Sequence, residues 1–381
     1  MSRGALHGLK VLDFSTLLPG PMATLLLAEA GADVIKIERP GSGDDMRGYA
    51  PQWGTDSANF AMLNRGKRSL ALDLKSDDAK AVLRPLIEEA DVLIEQFRPG
   101  VMDRLGLGYA AVCETNADII YCSITGYGQT GPKALTAGHD LNYIGDTGLL
   151  ALASGPGSAP VVPPALIADI AGGAYPAIIN ILMALHARNR GHGGAHLDLA
   201  MTDGLFAFMY WALGQGQATG DWPGNGDTLV TGGSPRYQLY PTADGRIVAA
   251  APIEPKFWTA FTEAIGLDPV LRDDSRDATA TISAIRILIA AHPSSHWEAV
   301  FAKTDCCCSI VRSLEEALQD PHFRARGLFD QAVSNVHGQQ MAALPVPVAA
   351  ANATDVKTAP SPVLGSGADQ PKFETRAEKR L

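Results

Sequence analysis

The feature that most constrains the fold is an alternation of short strand patterns with helix-length segments through the first 130 residues. Leu9 to Phe14 is an apolar run, Pro21 to Ala30 is helix-like, and Asp33 to Glu38 is the next strand pattern. Lys67 to Leu74 alternates as a half-buried strand does, and Asp77 to Ala90 reads as a helix with acidic residues near its start. Asp91 to Phe97 and Ile119 to Ile124 close the series. Strands separated by helix-length crossovers pair in parallel with right-handed connections, which predicts an α/β protein with an open, Rossmann-like parallel sheet covered on both faces. Ligands of such sheets gather beyond the carboxyl ends of the strands.

A tract rich in Gly and Pro follows from Gly126 to Pro164, then a helix from Gly172 to Arg188, a strand from His196 to Met201 and an apolar helix from Gly204 to Leu213. The Gly-rich stretch Asp221 to Ser234 reads as a linker. Beyond it, Tyr237 to Tyr240 and Arg246 to Ala251 flank an Ala-Asp-Gly turn, a hairpin signal, and helical patterns fill Glu254 to Phe329. From Gln331 the chain is rich in Ala, Pro and Val without a period and reads as an arm returning to the first domain. The expected organisation is a large domain over 1–220 completed by 331–381, and a linker with a small α+β domain over 221–330.

Composition sets limits on function. With 46% hydrophobic and 19% charged residues, the chain of 381 can bury a large core, which excludes a disordered or fibrous protein. Lys and Arg number 31 against 41 Asp and Glu, a formal net charge of −10 with no basic block, so neither nucleic acid nor an anionic membrane is expected as partner. No apolar stretch is read as reaching the roughly 18 to 20 residues of a membrane span, and the N-terminus lacks the apolar core of a signal peptide, so a cytoplasmic location is expected. Five cysteines, Cys113, Cys122 and the consecutive Cys306 to Cys308, show no zinc or disulfide spacing and read as reduced thiols.

Several familiar motifs fail. Gly41 and Gly43 follow a strand, but Asp44 and Asp45 stand where a pyrophosphate would approach. His192 and His196 have zinc-helix spacing with Gly193 and Gly194 between them and no acid, so no metal site is expected. Nucleophile-elbow and P-loop patterns are missing from the sequence.

More specific are the words Leu-Leu-Pro-Gly-Pro-Met-Ala (17–23), Gly-Ala-Asp-Val-Ile-Lys-Ile-Glu-Arg-Pro (31–40), Asn-Arg-Gly-Lys-Arg-Ser (64–69) and Leu-Asp-Leu-Lys (72–75). They continue with Phe-Arg-Pro-Gly-Val-Met-Asp-Arg-Leu-Gly-Leu (97–107), Tyr-Gly-Gln-Thr-Gly-Pro (127–132) and Gly-His-Asp-Leu-Asn-Tyr (138–143). In this order and spacing the chain, from about Gly8 to Phe329, resembles the family III CoA-transferase superfamily, and within it the branch that epimerises the α-carbon of 2-methyl-branched acyl-CoA thioesters. The resemblance implies an interlocked homodimer and an acyl-CoA substrate, with coenzyme A part of the substrate and no metal or redox cofactor.

Residue by residue, the superfamily's shared Asp matches Asp169, in Ala-Asp-Ile-Ala-Gly-Gly. Taken alone, an Asp before a glycine-rich helix start reads equally well as an N-cap. His139 matches the second proton-transfer group of the racemase branch, and Glu254 an acid that assists it, from the other subunit in an interlocked dimer; as a pattern, Glu254 is also an ordinary first-turn Glu. Inverting a carbon beside a thioester needs one base on each face, one protonated while the other is not, and an imidazole paired with a carboxylate suits that task. Arg39 and Arg104 match positions that hold the CoA phosphates, which guanidinium binds in bidentate fashion. Leu72, Asp73, Leu74 and Lys75 match the adenine and pantetheine path, although Lys75 reads as well as a solvated surface group. Gly138, Asp140, Asn142 and Tyr143 complete the expected substrate-binding set, with core packing the other reading of Tyr143. The alternative within the superfamily is a CoA transferase, in which Asp169 is a nucleophile and neither His139 nor Glu254 is needed.

Overall fold

The structure is a computed structural model that describes residues 3–153, 160–367 and 371–374; parts of the loop-rich tract and of the C-terminal arm therefore lie outside the described residues. Five of the predicted strand patterns form β1 (Lys10–Asp13), β2 (Asp33–Glu38), β3 (Arg68–Ala71), β4 (Val92–Glu95) and β5 (Ile120–Thr125), and Ala195–Ala200 forms β6. They make one sheet in the order β3-β2-β1-β4-β5-β6, with all neighbours parallel. The order reverses between β1 and β4, the point at which open α/β sheets leave a crevice beyond their carboxyl ends.

Helices cover both faces, so the central strands are buried: β4 and β5 have no exposed residue, whereas the edge strand β6 exposes His196 and Asp198. Helix α1 (Asp77–Glu89) shows why one face closes. Ala79, Leu83, Leu86 and Ile87 recur at helical spacing, are at most 5% exposed, and the three larger ones share a core with Leu12, Ile35, Leu93 and Tyr121. An earlier helix, Pro19–Glu29, begins with a proline and is buried along almost its whole length. It packs against the helix Tyr175–Ala187, which lies over β5 and β6.

That last region differs from expectation twice. The helix begins at Ala168 rather than Gly172, with a π-helical turn over Ala168–Ala174. The continuous stretch Ala168–His192 is also long and apolar enough to cross a membrane by length and composition. Its Ala174, Ala177 and Ile181 are fully buried, whereas Ile179 and Met183 are each 56% exposed and Leu182 is 41% exposed.

The chain folds as two compact units, the first comprising residues 1–144, 165–208 and 322–381, the second 145–164 and 209–321. In the first unit the late segment adds a small sheet of Ala332–Ser334, Gln340–Ala342 and Thr358–Pro360. Further hydrogen bonds follow, from Gly367 N–H to the Ser69 carbonyl (2.7 Å) and from Arg68 to the Lys372 carbonyl (2.8 Å), and Phe373 enters the core of the sheet.

The second unit is α+β. The predicted hairpin forms with Tyr240 paired to Val248, Cys308–Ile310 adds a third antiparallel strand, and helices Pro255–Ala264, Ala278–Ala290 and Ser294–Phe301 enclose Trp258, Phe261, Ile285 and Trp297.

Because Leu12 is fully buried at the centre of the sheet, Leu12→Ala is expected to lower the unfolding free energy by about 2–5 kcal/mol in urea denaturation.

Candidate active site

A cavity of about 450 Å³ opens where the strand order reverses. Its wall is drawn from the segments that follow four strands: Leu17 and Pro19 after β1, Gln96 to Pro99 after β4, Thr125 and Gly126 at the end of β5, and Met201 after β6. Gly138, His139, Asn142, Tyr143 and Asp169 complete it. Residues far apart in sequence and chosen for their chemistry thus meet at the place the topology prepares.

Asp169 sits in the π-helical turn, a wide turn that often marks functional positions. Gly172 explains how this turn can lie so close to the sheet, since a Cβ there would stand 2.2 Å from the Met201 carbonyl oxygen. The Asp169 N–H donates to Asp140 Oδ1 at 3.0 Å, and Asp140 is 4% exposed. Burial, reinforced by the negative charge of Asp140, pushes the Asp169 carboxyl up to about 7. A carboxyl in that range can take or give a proton at neutral pH.

His139 stands immediately before the short helix Asp140–Asp146 and is exposed at its start. Its carbonyl accepts from the N–H groups of Asn142 (2.8 Å) and Tyr143 (3.2 Å), and its own N–H donates to Asn142 Oδ1 (3.0 Å). Asn142 therefore closes a reciprocal cap on the histidine's backbone. The Tyr143 hydroxyl donates to the Gly138 carbonyl at 2.5 Å, and its ring occupies the space that a Cβ on Gly126 or Gly138 would need. Three of the four residues expected beside the substrate, Asn142, Tyr143 and Gly138, thus fix the loop that carries His139, and Asp140 tunes Asp169.

The expected CoA-binding residues lie along the same carboxyl edge of the sheet. Arg39 follows β2, is exposed, and contacts Ser42 Oγ (2.6 Å) and Asp45. Leu72 follows β3, with its N–H on the Glu38 carbonyl (2.8 Å); Leu72 and Leu74 lean on the core, while Asp73 and Lys75 are exposed, the Asp73 carboxylate accepting the Lys75 N–H (3.0 Å). Arg104 follows β4 in the short helix Val101–Leu105 and is exposed. Glu254 belongs to the second unit, where it is exposed and precedes the helix Pro255–Ala264 without a side-chain hydrogen bond to the helix end.

Among the wall residues that sequence reasoning did not single out, two matter most. Arg98 lines the cavity as an exposed guanidinium that makes no ion pair among the described residues, although it lies in a quoted word, Phe-Arg-Pro-Gly. Leu17 opens another quoted word, Leu-Leu-Pro-Gly, but its φ of +61°, a left-handed conformation uncommon outside glycine, is not signalled by the residues around it.

Fold and cavity define an enzyme class for which the comparisons give the name: the chain belongs to CoA-transferase family III, whose family model matches residues 6–368. Among its relatives, the α-methylacyl-CoA racemase of Homo sapiens is 36% identical over 329 residues, covering 85% of this chain and 82% of that one. The acetyl-CoA:oxalate CoA-transferase of Acetobacter aceti is 34% identical over 338 residues, 86% of this chain and 85% of that one. The crystal structure of a CAIB/BAIF family protein from Brucella suis superposes with a TM-score of 0.83 at 29% identity, covering 97% of this chain and 98% of that one.

The raised Asp169 carboxyl carries a linkage consequence. The folded state keeps its proton up to about pH 7 while the unfolded chain releases it near 3.8, so stability falls as pH rises through that window. Asp169→Asn removes the cost of the buried charge. Its melting temperature is expected to exceed the wild type's at pH 8 and to match it below pH 4, by differential scanning calorimetry.

Proposed function

We propose that the enzyme epimerises the α-carbon of 2-methyl-branched acyl-CoA thioesters. The observation that carries this reading is that His139 and Asp169 line one cavity and that the Asp169 carboxyl is pushed up to about 7. At neutral pH such a carboxyl exists in both forms, as a group that takes a proton in one direction and returns it in the other must. In the proposed step one residue removes the α-proton, the electron pair moves into the thioester as an enolate, and the other residue delivers a proton to the opposite face. Their roles exchange with the direction of turnover. Only protons move, so the step calls on no metal or redox cofactor. Arg39, Arg104 and the segment Leu72 to Lys75 would hold the CoA moiety along the carboxyl edge. Glu254 enters as a positioning residue, and its loss is expected to weaken the His139 half of the reaction more than the Asp169 half.

A CoA transferase is the second reading, favoured by relatives such as the acetyl-CoA:oxalate CoA-transferase. There Asp169 attacks the thioester and forms an acyl anhydride as CoA leaves. Nucleophilic attack uses the ionised carboxylate, which a site holding the group near neutrality supplies only in part, and it leaves His139 without a task.

Single mutants separate the readings. In deuterated water, His139→Ala and Asp169→Asn are each expected to stop racemisation yet still exchange the α-proton of one enantiomer, opposite in the two mutants, as measured by NMR. The same enantiomer surviving in both would show that the residues do not work from opposite faces. Hydroxylamine trapping of an acyl group on Asp169 in the wild type would favour the transferase.

We further propose that the chain acts as a homodimer, supported by the exposed apolar face of Ile179, Leu182 and Met183, a patch that water leaves poorly satisfied. Light scattering is expected to give about twice the 40.1 kDa chain mass, and Leu182→Glu with Met183→Glu to shift it toward the monomer; a monomeric wild type with full activity would contradict this.

A further inference from the structure

Beneath the cavity wall made by Leu17 and Pro19 lies an ion pair that the proposed chemistry does not use. Lys36 Nζ and Asp44 Oδ2 are 2.9 Å apart and both side chains are fully buried. The Asp44 carboxylate accepts the Leu17 N–H at 3.0 and 3.2 Å, and Lys36 Nζ donates to the Ser15 carbonyl at 2.7 Å. One ion pair therefore grips the backbone on both sides of Thr16, the ammonium before it and the carboxylate after it. Asp44 is itself fixed, since it accepts the Met46 N–H (2.9 Å) while its own N–H donates to Glu38 Oε2 (2.9 Å). The residue held in this way, Leu17, is the one with φ +61°. A left-handed leucine persists only where its surroundings over-determine it.

A buried ion pair is a poor source of stability, because apolar groups of the same volume are often as good or better. What the pair does supply is a fixed position for two backbone groups of a turn that borders the cavity of His139 and Asp169. We infer that Lys36 and Asp44 are positioning residues: they hold the Ser15–Leu17 turn so that the wall formed by Leu17 and Pro19 presses the reacting thioester into line with the proton-transfer groups. The inference rests on the functional reading only in taking this cavity as the place where the thioester reacts, and it applies to racemisation and to CoA transfer alike.

The test uses the full chain with the double substitution Lys36→Met and Asp44→Leu, which keeps volume and removes the grip. Neighbouring charges stay paired, since Asp13 retains Lys67 and Glu38 retains Arg47. Asp44→Asn, which still offers one oxygen to the Leu17 N–H, is the milder variant. Melting temperature, CoA affinity by calorimetry, and turnover as α-proton exchange or CoA transfer are measured for each. The double variant is expected to melt at or above the wild-type temperature and to bind CoA within about threefold of wild type, yet to lose turnover about a hundredfold, the scale of a misplacement near 1 Å. Asp44→Asn is expected to lose less.

Turnover in the folded double variant within about threefold of wild type would overturn the inference. If that variant does not fold, Asp44→Asn decides: lower kcat with unchanged CoA affinity supports the inference, and unchanged kcat overturns it. A wild type that catalyses neither reaction defeats the functional reading on its own. The positioning is then read from a crystal structure of the double variant, in which Leu17 is expected to leave the left-handed region; Leu17 remaining near φ +60° would overturn the inference.

Discussion

A set of buried charges at the carboxyl ends of β1 and β2 is the constraint on which the rest of the first unit depends. Asp13, Lys36, Asp44 and Lys67 are all 3% exposed or less. Burial would raise the Asp13 carboxyl, but Lys36 and Lys67, with the hydroxyls of Ser15 and Thr24, outweigh it and hold the group at about 2. Lys67 Nζ reaches Asp13 (3.3 Å), the Pro21 carbonyl (2.9 Å) and Asn64 Oδ1 (2.7 Å), so all three of its donors are used. The Asp13 carboxylate also accepts from Thr24 Oγ1 at 2.6 Å. These bonds tie the end of β1 to the helix Pro19–Glu29 and to the segment before β3. Removing the Asp13 charge would strand Lys67, whose ion pair it is, in a medium that cannot solvate it, and this interdependence fixes the loop that becomes the cavity wall.

From that fixed edge the chemistry follows by placement. The reversal of strand order opens a crevice, glycines let the π-helical turn and the Gly138 loop come close, and Asp169 ends up in an environment that disfavours its charge. The same low dielectric that makes an isolated carboxylate costly makes a shared proton useful. The Asn142 side-chain oxygen and the Tyr143 hydroxyl both bond the backbone around His139 and hold it in place.

Much of the fold was legible because a parallel sheet covered on both faces leaves a strong rhythm of short apolar strands and longer crossovers. Strand β2 shows the limit of that reading. Asp-Val-Ile-Lys-Ile-Glu alternates as though Lys36 faced water, yet in a doubly covered sheet both faces are interior, and the lysine is buried because Asp44 arrives from a loop that periodicity does not describe. The strained Leu17 was invisible for the same reason, since its conformation is imposed by a partner 27 residues away. The membrane-length apolar stretch 168–192 passed unnoticed because the glycines, Pro176 and Asn180 broke its run of large side chains. His139 and Asp169 were found through motif resemblance; spacing alone would have left an N-cap and a surface histidine. Arg98 was within reach, lying in the word that also supplied Arg104.

The central proposal is that this cavity removes a proton from one face of an α-carbon and delivers another to the opposite face. The most direct test is to incubate the wild-type enzyme with one enantiomer of a 2-methylacyl-CoA in deuterated water and to follow optical purity and isotope content together. The expected result is loss of optical purity with one deuterium entering at the α-carbon and the thioester intact. Retention of configuration without deuterium, with CoA passing to an added carboxylic acid, would contradict it.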